Sequence, residues 1–175
     1  MCSVAFCTPV LIQQNDGSGG FNRSWREYKV GFGDITGNYW LGNEILKRQT
    51  ANYRYKLRFD LQQRDTGNWY YAEYSTFRVL SEADNYTLQV GGFSGNTGYD
   101  VFSRYHNGEQ FSTIDRDNDG TSSHSCAAWL GSGFWYNACA VSPVNAAHNT
   151  GRFLWLGLPG NYHLKSTRMW MQCKQ

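Results

Sequence analysis

Three aspartates at alternate positions form the part of this chain best suited to metal chemistry. Asp115, Asp117 and Asp119 are followed directly by Gly120. Calcium takes roughly six to eight oxygen ligands, and carboxylates on alternate residues together with backbone carbonyls can supply most of them. An EF-hand is not expected, because its twelfth position requires a glutamate and the twelfth residue from Asp115 is Cys126. The alternative to a metal loop is a solvated acidic turn, since Asp, Asn and Gly are common turn residues.

The five cysteines indicate an oxidising environment, and their odd number leaves at least one thiol free or joined to another polypeptide. Cys126 and Cys139 enclose a short segment, and a bond between them would contribute roughly 3 kcal/mol in the chain-entropy model. The enclosed segment contains three consecutive aromatics at 134–136, which could line a ligand pocket or belong to the core. Two N-glycosylation sequons, at Asn22 and Asn85, agree with secretion.

Composition excludes several classes of function. The net charge of +2 comes without a cluster of Lys and Arg, so we expect no nucleic-acid partner. No apolar run approaches the roughly 20 residues that span a bilayer, so we expect no membrane insertion. Residues 1–7 lack the regions of a signal peptide, and secretion would require a leader outside this sequence.

Enzymatic function is not expected either. The sequence contains no Gly-x-Ser-x-Gly elbow, no His-Glu-x-x-His motif and no P-loop. The four histidines are widely spaced and do not show metal-ligand spacing, so each is interpreted as a surface or hydrogen-bonding residue.

Hydrophobic periodicity predicts an α+β domain with a mostly antiparallel central sheet, two short helices and a long loop-rich C-terminal lobe. Apolar residues at helical spacing predict helices over 21–29 and 40–48. Alternating apolar and polar residues predict strands over 9–14, 53–60, 68–77, 86–90, 152–156 and 166–172. The glycine-rich region 91–151 has no regular pattern, and long irregular loops of this kind are usually functional.

The chain resembles a known extracellular family along nearly its whole length. The matching segments are Asp16-Gly-Ser18 with Trp25 and Tyr28, Gly31-Phe-Gly33, Trp40-Leu-Gly-Asn43, His106-Asn107, Phe111-Ser-Thr113, the acidic loop, Cys126-Ala127, Trp135-Tyr136 and Cys139. These segments resemble the fibrinogen-related domain, the C-terminal globular module of fibrinogen, ficolins, tenascins, angiopoietins and tachylectin-type lectins.

This resemblance implies one domain over 1–175, with a shortened N-terminal subdomain, a sheet core from 9–90 plus 152–173, and a calcium- and ligand-binding lobe over 91–151. It also implies the disulfide Cys126–Cys139, with Cys173 pairing with Cys7 or Cys2. Asp117 and Asp119 would bind calcium through their carboxylates, and backbone carbonyls near Thr121 and Ser123 would complete the shell.

A ligand pocket beside Cys139 is a further implication of the resemblance. The family often has a cis peptide at this point, here Ala138–Cys139, which helps to bind N-acetyl groups. Acetyl-binding members often carry Tyr where this sequence has Leu130, and His or an aromatic where it has Ala140. If this chain forms a pocket with a different lining, we expect the lining to consist of Trp129, Phe134, Tyr136 and Trp155.

Two functions follow from the resemblance. The first is a secreted, calcium-dependent lectin of innate immunity that binds glycans or other acetylated or sulfated surface ligands. The second is an extracellular protein–protein interaction module without a sugar pocket. In either case homo-oligomers would raise the avidity of a single weak site.

Overall fold

The computed structural model describes residues 8–52, 54–139 and 141–174. Its centre is a seven-stranded sheet with the order β2-β3-β1-β7-β4-β5-β6, in which every neighbouring pair is antiparallel. The strands are β1 Val10–Asn15, β2 Phe32–Gly33, β3 Tyr39–Trp40, β4 Tyr55–Gln63, β5 Trp69–Val79, β6 Leu88–Gly95 and β7 Leu164–Cys173. The predicted fold class is confirmed.

Strands β7 and β4 lie side by side near the middle of the sheet, and buried residues alternate with less buried ones along β4 and along β7 from Thr167 to Met171. Leu57, Phe59 and Leu61 are fully buried, while the residues between them are only partly covered. Phe59 pairs with Met169 of β7, which is also fully buried. The apolar face of this pair therefore points into the core, and the polar face forms the outer side of the sheet.

Among the described residues, the α-helices that accompany the sheet are α1 Trp25–Val30, α2 Asn43–Thr50, α3 Phe102–His106 and α4 Cys126–Leu130. Two turns of 3₁₀-helix lie at Glu82–Asp84 and His148–Thr150. Helix α1 begins later than its periodicity predicts because Ser24 and Glu27 form a capping box, in which each side chain bonds the backbone of the other. The predicted helix over 40–48 is α2, which begins and ends slightly further along the sequence.

The predicted strand over 152–156 is wrong. This segment makes only an isolated bridge, between Leu154 and His163. Phe153, Leu154 and Trp155 are buried one after another, so neither side of the segment faces solvent as a half-buried strand requires. Conversely, β6 reaches Gly95, so the sheet extends past the predicted boundary at residue 90.

Aromatic packing joins the irregular lobe to the sheet. The ring of Phe59 on β4 lies 4.7 Å from that of Phe102 and 4.9 Å from that of Trp155. Phe102 and Trp155 stack on each other with an interplanar angle of 15°. All three side chains are fully buried. Because one close-packed cluster contains residues of both parts, the lobe shares the core of the sheet.

Buried side-chain amides of β1 form hydrogen bonds with the irregular lobe. The Gln13 side chain donates to the Val144 carbonyl and to Asn145 Oδ1, both at 3.0 Å. The Asn15 side chain donates to the carbonyls of Val144 (2.9 Å) and Ala146 (3.0 Å). These bonds satisfy backbone carbonyls of the lobe that would otherwise be buried without a partner.

Within the residues that the structure describes, no helix has the length and apolar character needed to cross a bilayer. Cys173 is disulfide-bonded. The predicted partners Cys2 and Cys7 lie outside the described residues.

Candidate functional site

The Asp115 carboxylate binds the N-terminus of helix α1. Its Oδ1 accepts a hydrogen bond from the Trp25 backbone N–H (2.8 Å) and another from the Thr113 hydroxyl (2.7 Å). The first N–H groups of a helix have no intrahelical acceptor, and a carboxylate placed there also interacts favourably with the helix dipole. The first of the three alternating aspartates therefore already has a structural role, as an acceptor at the N-terminus of α1.

Asp119 organises the turn that leads into helix α4. Its Oδ1 accepts from the Thr121 N–H (2.8 Å) and hydroxyl (2.5 Å), and its Oδ2 accepts from the Cys126 N–H (2.7 Å). Burial alone would raise the pKa of Asp119, but these hydrogen bonds favour the carboxylate and the net pKa is lowered. Since a carboxylate has about four acceptor positions, one remains for a further ligand.

Asp117 is the more exposed partner of Asp119. Its Oδ1 accepts a long hydrogen bond, 3.3 Å, from the Asp119 N–H. Its pKa is raised, first by partial burial and also by the negative charge of Asp119. The charge of Asp119 disfavours ionisation of Asp117, so a divalent cation beside the two side chains would be stabilising.

The hydroxyl groups in the rest of the loop are engaged by neighbouring residues. The Thr121 hydroxyl donates to Asp119, and the Ser123 hydroxyl lies 2.9 Å from His124 Nδ1, so both side chains already have partners. Within the described residues there is no cluster of three or more His, Cys, Asp and Glu arranged to hold a metal. A site here would therefore combine the carboxylates of Asp117 and Asp119 with carbonyl oxygens and water, which is a donor set typical of calcium.

The disulfide Cys126–Cys139 is present, with the two Cα atoms 4.9 Å apart. It ties the start of α4 to a segment that also contacts the acidic loop, because the Gly120 N–H donates to the Asn137 carbonyl at 3.2 Å. A Cβ atom at Gly120 would lie 3.0 Å from that carbonyl oxygen, so glycine permits the close approach. The disulfide ring and the acidic loop are thus held against each other.

The predicted cis peptide at Ala138–Cys139 is wrong, since this bond is trans. Ala138 is exposed, so the packing around it does not enforce the costly cis form.

The structure does not bring the predicted pocket aromatics together at the surface. Phe134, Tyr136 and Trp155 are fully buried, and Leu130 is nearly so. The Tyr136 hydroxyl lies 2.8 Å from that of Ser132 inside the core. Of the four aromatics only Trp129 is exposed, at 45%. Cys139 is buried, and Ala140 lies outside the described residues.

Trp129 instead forms a surface group that sequence spacing did not indicate. The Arg152 guanidinium lies 3.8 Å from the centroid of the Trp129 ring, a cation–π contact. His124 packs edge-on against the same ring at 5.7 Å, and its Nε2 lies 3.4 Å from Cys139 Sγ. Arg152 makes no ion pair with any described residue. We call Trp129, His124 and Arg152 the Trp129 cluster.

His106 is a hydrogen-bonding residue of the core, as the sequence analysis predicts. It is buried, with Nδ1 2.6 Å from the Trp135 carbonyl and Nε2 2.8 Å from the Ser142 hydroxyl. A carbonyl only accepts, so Nδ1 carries the proton and Nε2 accepts from Ser142. Burial lowers the pKa of His106 to about 4, with the Trp135 hydrogen bond opposing the shift.

Solved structures share the fold of this chain. The fibrinogen-like globe domain of human ANGPTL2 has a TM-score of 0.83 and 37% identity, covering 95% of this chain and 81% of that chain. The lamprey fibrin D-dimer, complexed with the peptide ligand Gly-His-Arg-Pro-amide, has a TM-score of 0.78 and 32% identity, covering 92% of this chain and 60% of that chain. The fold is therefore that of a fibrinogen-like globe.

The amino-acid sequence places the chain in the same family. Residues 7–175 match the family defined by the C-terminal globular domain of the fibrinogen beta and gamma chains, and this protein belongs to that family. It is 39% identical over 169 residues to angiopoietin-4 of Bos taurus, covering 91% of this chain and 33% of that protein. The chain thus spans about a third of the length of this relative.

Family membership confirms three predictions: the resemblance itself, a non-enzymatic protein, and a secreted, extracellular location. The angiopoietin-like relatives support the predicted alternative, an interaction module, better than the predicted lectin of innate immunity.

Proposed function

We propose that this protein is an extracellular protein-binding module, and that the Trp129 cluster forms part of the surface that contacts its partner. The proposal is based on one structural observation: the aromatics that could have lined a sugar pocket fill the core, while Trp129 remains at the surface. The similarity to angiopoietins agrees with it. So does the fibrin relative that was solved with a peptide ligand.

The chemistry of the Trp129 cluster suits a protein partner. Tryptophan and arginine are enriched among residues that dominate the energy of protein interfaces. Here the ring is already oriented by Arg152 on one side and His124 on another, so little side-chain freedom is lost on binding. Arg152, without a carboxylate partner among the described residues, can pair with an acidic group on the partner.

We further propose that calcium, held chiefly by Asp117 and Asp119, orders this surface. Bound there, the cation would neutralise two adjacent carboxylates and fix the loop that carries His124. The acidic loop contacts the disulfide ring through Gly120 and Asn137. Calcium binding and the position of the Trp129 cluster are therefore expected to be coupled.

The test compares binding to proteins with binding to glycans. The purified protein is applied, with calcium and with EDTA, to an array of extracellular receptor ectodomains and matrix proteins and to a glycan array. We expect calcium-dependent binding to a defined protein and none to glycans. Binding to a defined glycan alone would instead support the lectin.

A matched pair of variants then tests the surface. Trp69 on β5 is exposed to a similar degree, 47% against 45% for Trp129, and also lies beside an arginine, with Arg168 at 5.7 Å. Trp129→Ala should weaken the interaction by about 2 kcal/mol, roughly thirtyfold, whereas Trp69→Ala should leave it nearly unchanged. Equal effects of the two variants would contradict the proposed location.

A further inference from the structure

The two N-glycosylation sequons occupy very different structural environments. Asn22 lies in the loop before α1 and is exposed. Its side chain makes no hydrogen bond to another described residue. The hydroxyl of Ser24, the third residue of this sequon, caps helix α1. A group attached to Asn22 Nδ2 would therefore extend into solvent and leave these contacts in place.

The Asn85 side chain, in contrast, forms hydrogen bonds with other residues of the protein. It ends the 3₁₀ turn Glu82–Asp84 in the left-handed region, with φ 51°. Its Nδ2 donates to Gln110 Oε1 at 2.8 Å, and its Oδ1 accepts from Arg116 Nη2 at 2.6 Å. Arg116 in turn lies 4.0 Å from the centroid of the Trp25 ring. A sugar on Nδ2 would compete with the Gln110 contact, right beside the Oδ1 atom that holds Arg116.

We infer that Asn22 is N-glycosylated in the secreted protein and that Asn85 is not. In the modification a bond forms between Asn22 Nδ2 and C1 of the first sugar of a lipid-linked oligosaccharide. The bond from that C1 to the pyrophosphate oxygen of the lipid breaks, the lipid pyrophosphate leaves, and one amide proton passes to the base of the transferase. Molecules modified at Asn85 fold less well, and the secreted population is free of a glycan there.

Asn22 is close in sequence to residues that connect helix α1 to the acidic loop and to the disulfide ring. The Trp25 N–H donates to Asp115 at the start of the acidic loop, and the Phe21 carbonyl accepts from the Tyr28 hydroxyl. That hydroxyl also accepts from the Gly133 N–H inside the disulfide ring. The glycosylation site thus lies one residue from Phe21 and three residues from Trp25, which make these contacts.

The test is to secrete the protein, preceded by a secretory leader, from a eukaryotic cell and to map its glycopeptides by mass spectrometry. We expect near-complete occupancy at Asn22 and none at Asn85. Treatment with an enzyme that releases N-glycans should produce one mobility shift in the wild-type protein and none in Asn22→Gln. Thr87→Val, which destroys the other sequon while keeping Asn85, should retain the full shift.

Unmodified wild-type Asn22, or a glycan found at Asn85, would overturn the inference. The glycopeptide map is made on the wild-type protein, so this result is independent of whether any variant folds. Ser24→Thr serves as a further control, because threonine preserves both the sequon and a helix cap. Loss of the glycan in Ser24→Thr would also contradict the assignment.

Discussion

Protonation of His106 should make this domain less stable in mild acid. In the folded protein His106 is neutral, because Nδ1 donates to the Trp135 carbonyl and Nε2 accepts from Ser142. A second proton, on Nε2, would face the Ser142 hydroxyl and place a charge inside the core. The unfolded state imposes no such cost, so it binds the proton at the ordinary pKa of histidine.

The size of the effect follows from the two pKa values. The pKa of His106 is about 4 in the fold, against 6.5 ordinarily. At 1.36 kcal/mol per pKa unit the maximal loss is about 3 kcal/mol, and at pH 5 it is about 2 kcal/mol. Between these two pKa values the unfolded state binds more protons. The contribution of His106 to the free energy of unfolding should therefore be nearly constant above about pH 6.5. It should decrease as the pH falls from 6.5 to about 4, and below that pH it should change no further.

Urea unfolding followed by tryptophan fluorescence, in EDTA and at pH values from 7.5 to 4.5, measures this dependence. The control is His106→Asn, which can still donate to the Trp135 carbonyl but does not titrate. Its absolute stability will be lower, because the ring packs against Phe102 and Phe134. The informative quantity is the slope with pH, which should be shallower in the variant. If both proteins lose the same free energy between pH 6.5 and 5, the reasoning is refuted.

Three other predictions concern the acidic loop and the disulfide ring. Calcium at about a hundred times its dissociation constant should add about 2.7 kcal/mol and raise Tm by roughly 5–10 °C, and Asp117→Asn should abolish this shift in thermal melts; a persistent shift would contradict the ligand assignment. Asp115→Ala, in contrast to Asp117→Asn, should retain calcium binding in calorimetry. It should lower the free energy of unfolding by about 1 kcal/mol, because the bond to the Trp25 N–H is lost. Replacing Cys126 and Cys139 by alanine should cost about 3 kcal/mol in urea unfolding, and a change well below 1 kcal/mol would show that the ring is held by its other contacts.

Sequence periodicity predicts β4 because its residues alternate cleanly between the two faces of the sheet. In β4 every second residue from Leu57 to Gln63 is buried, as the pattern predicts. The strands β2 and β3 have two residues each, and α3 and α4 have five, which is too short for either period to appear. Their positions depend on contacts with distant residues, such as the bond from the Leu41 N–H to the Ile12 carbonyl beside β3.

The candidate site was predictable only in part, for a similar reason. Residue types and family resemblance indicate Asp117 and Asp119, and in the structure the Asp119 N–H donates to Asp117 Oδ1 at 3.3 Å. Residue type alone could not separate core aromatics from surface ones, so Phe134 and Tyr136 were placed in a pocket that they do not form. Arg152 could not be predicted, because its contact with Trp129 links residues far apart in sequence.

The place of β7 between β1 and β4 has a consequence for biosynthesis. Until residues 164–173 leave the ribosome, the first and fourth strands have no common neighbour and the sheet is divided into two incomplete halves. The nascent polypeptide must therefore wait, with much of its apolar surface uncovered, for almost the whole domain to be translated. A premature stop codon shortly before residue 164 should yield a product retained by the quality-control machinery of the secretory pathway, with no functional fragment exported.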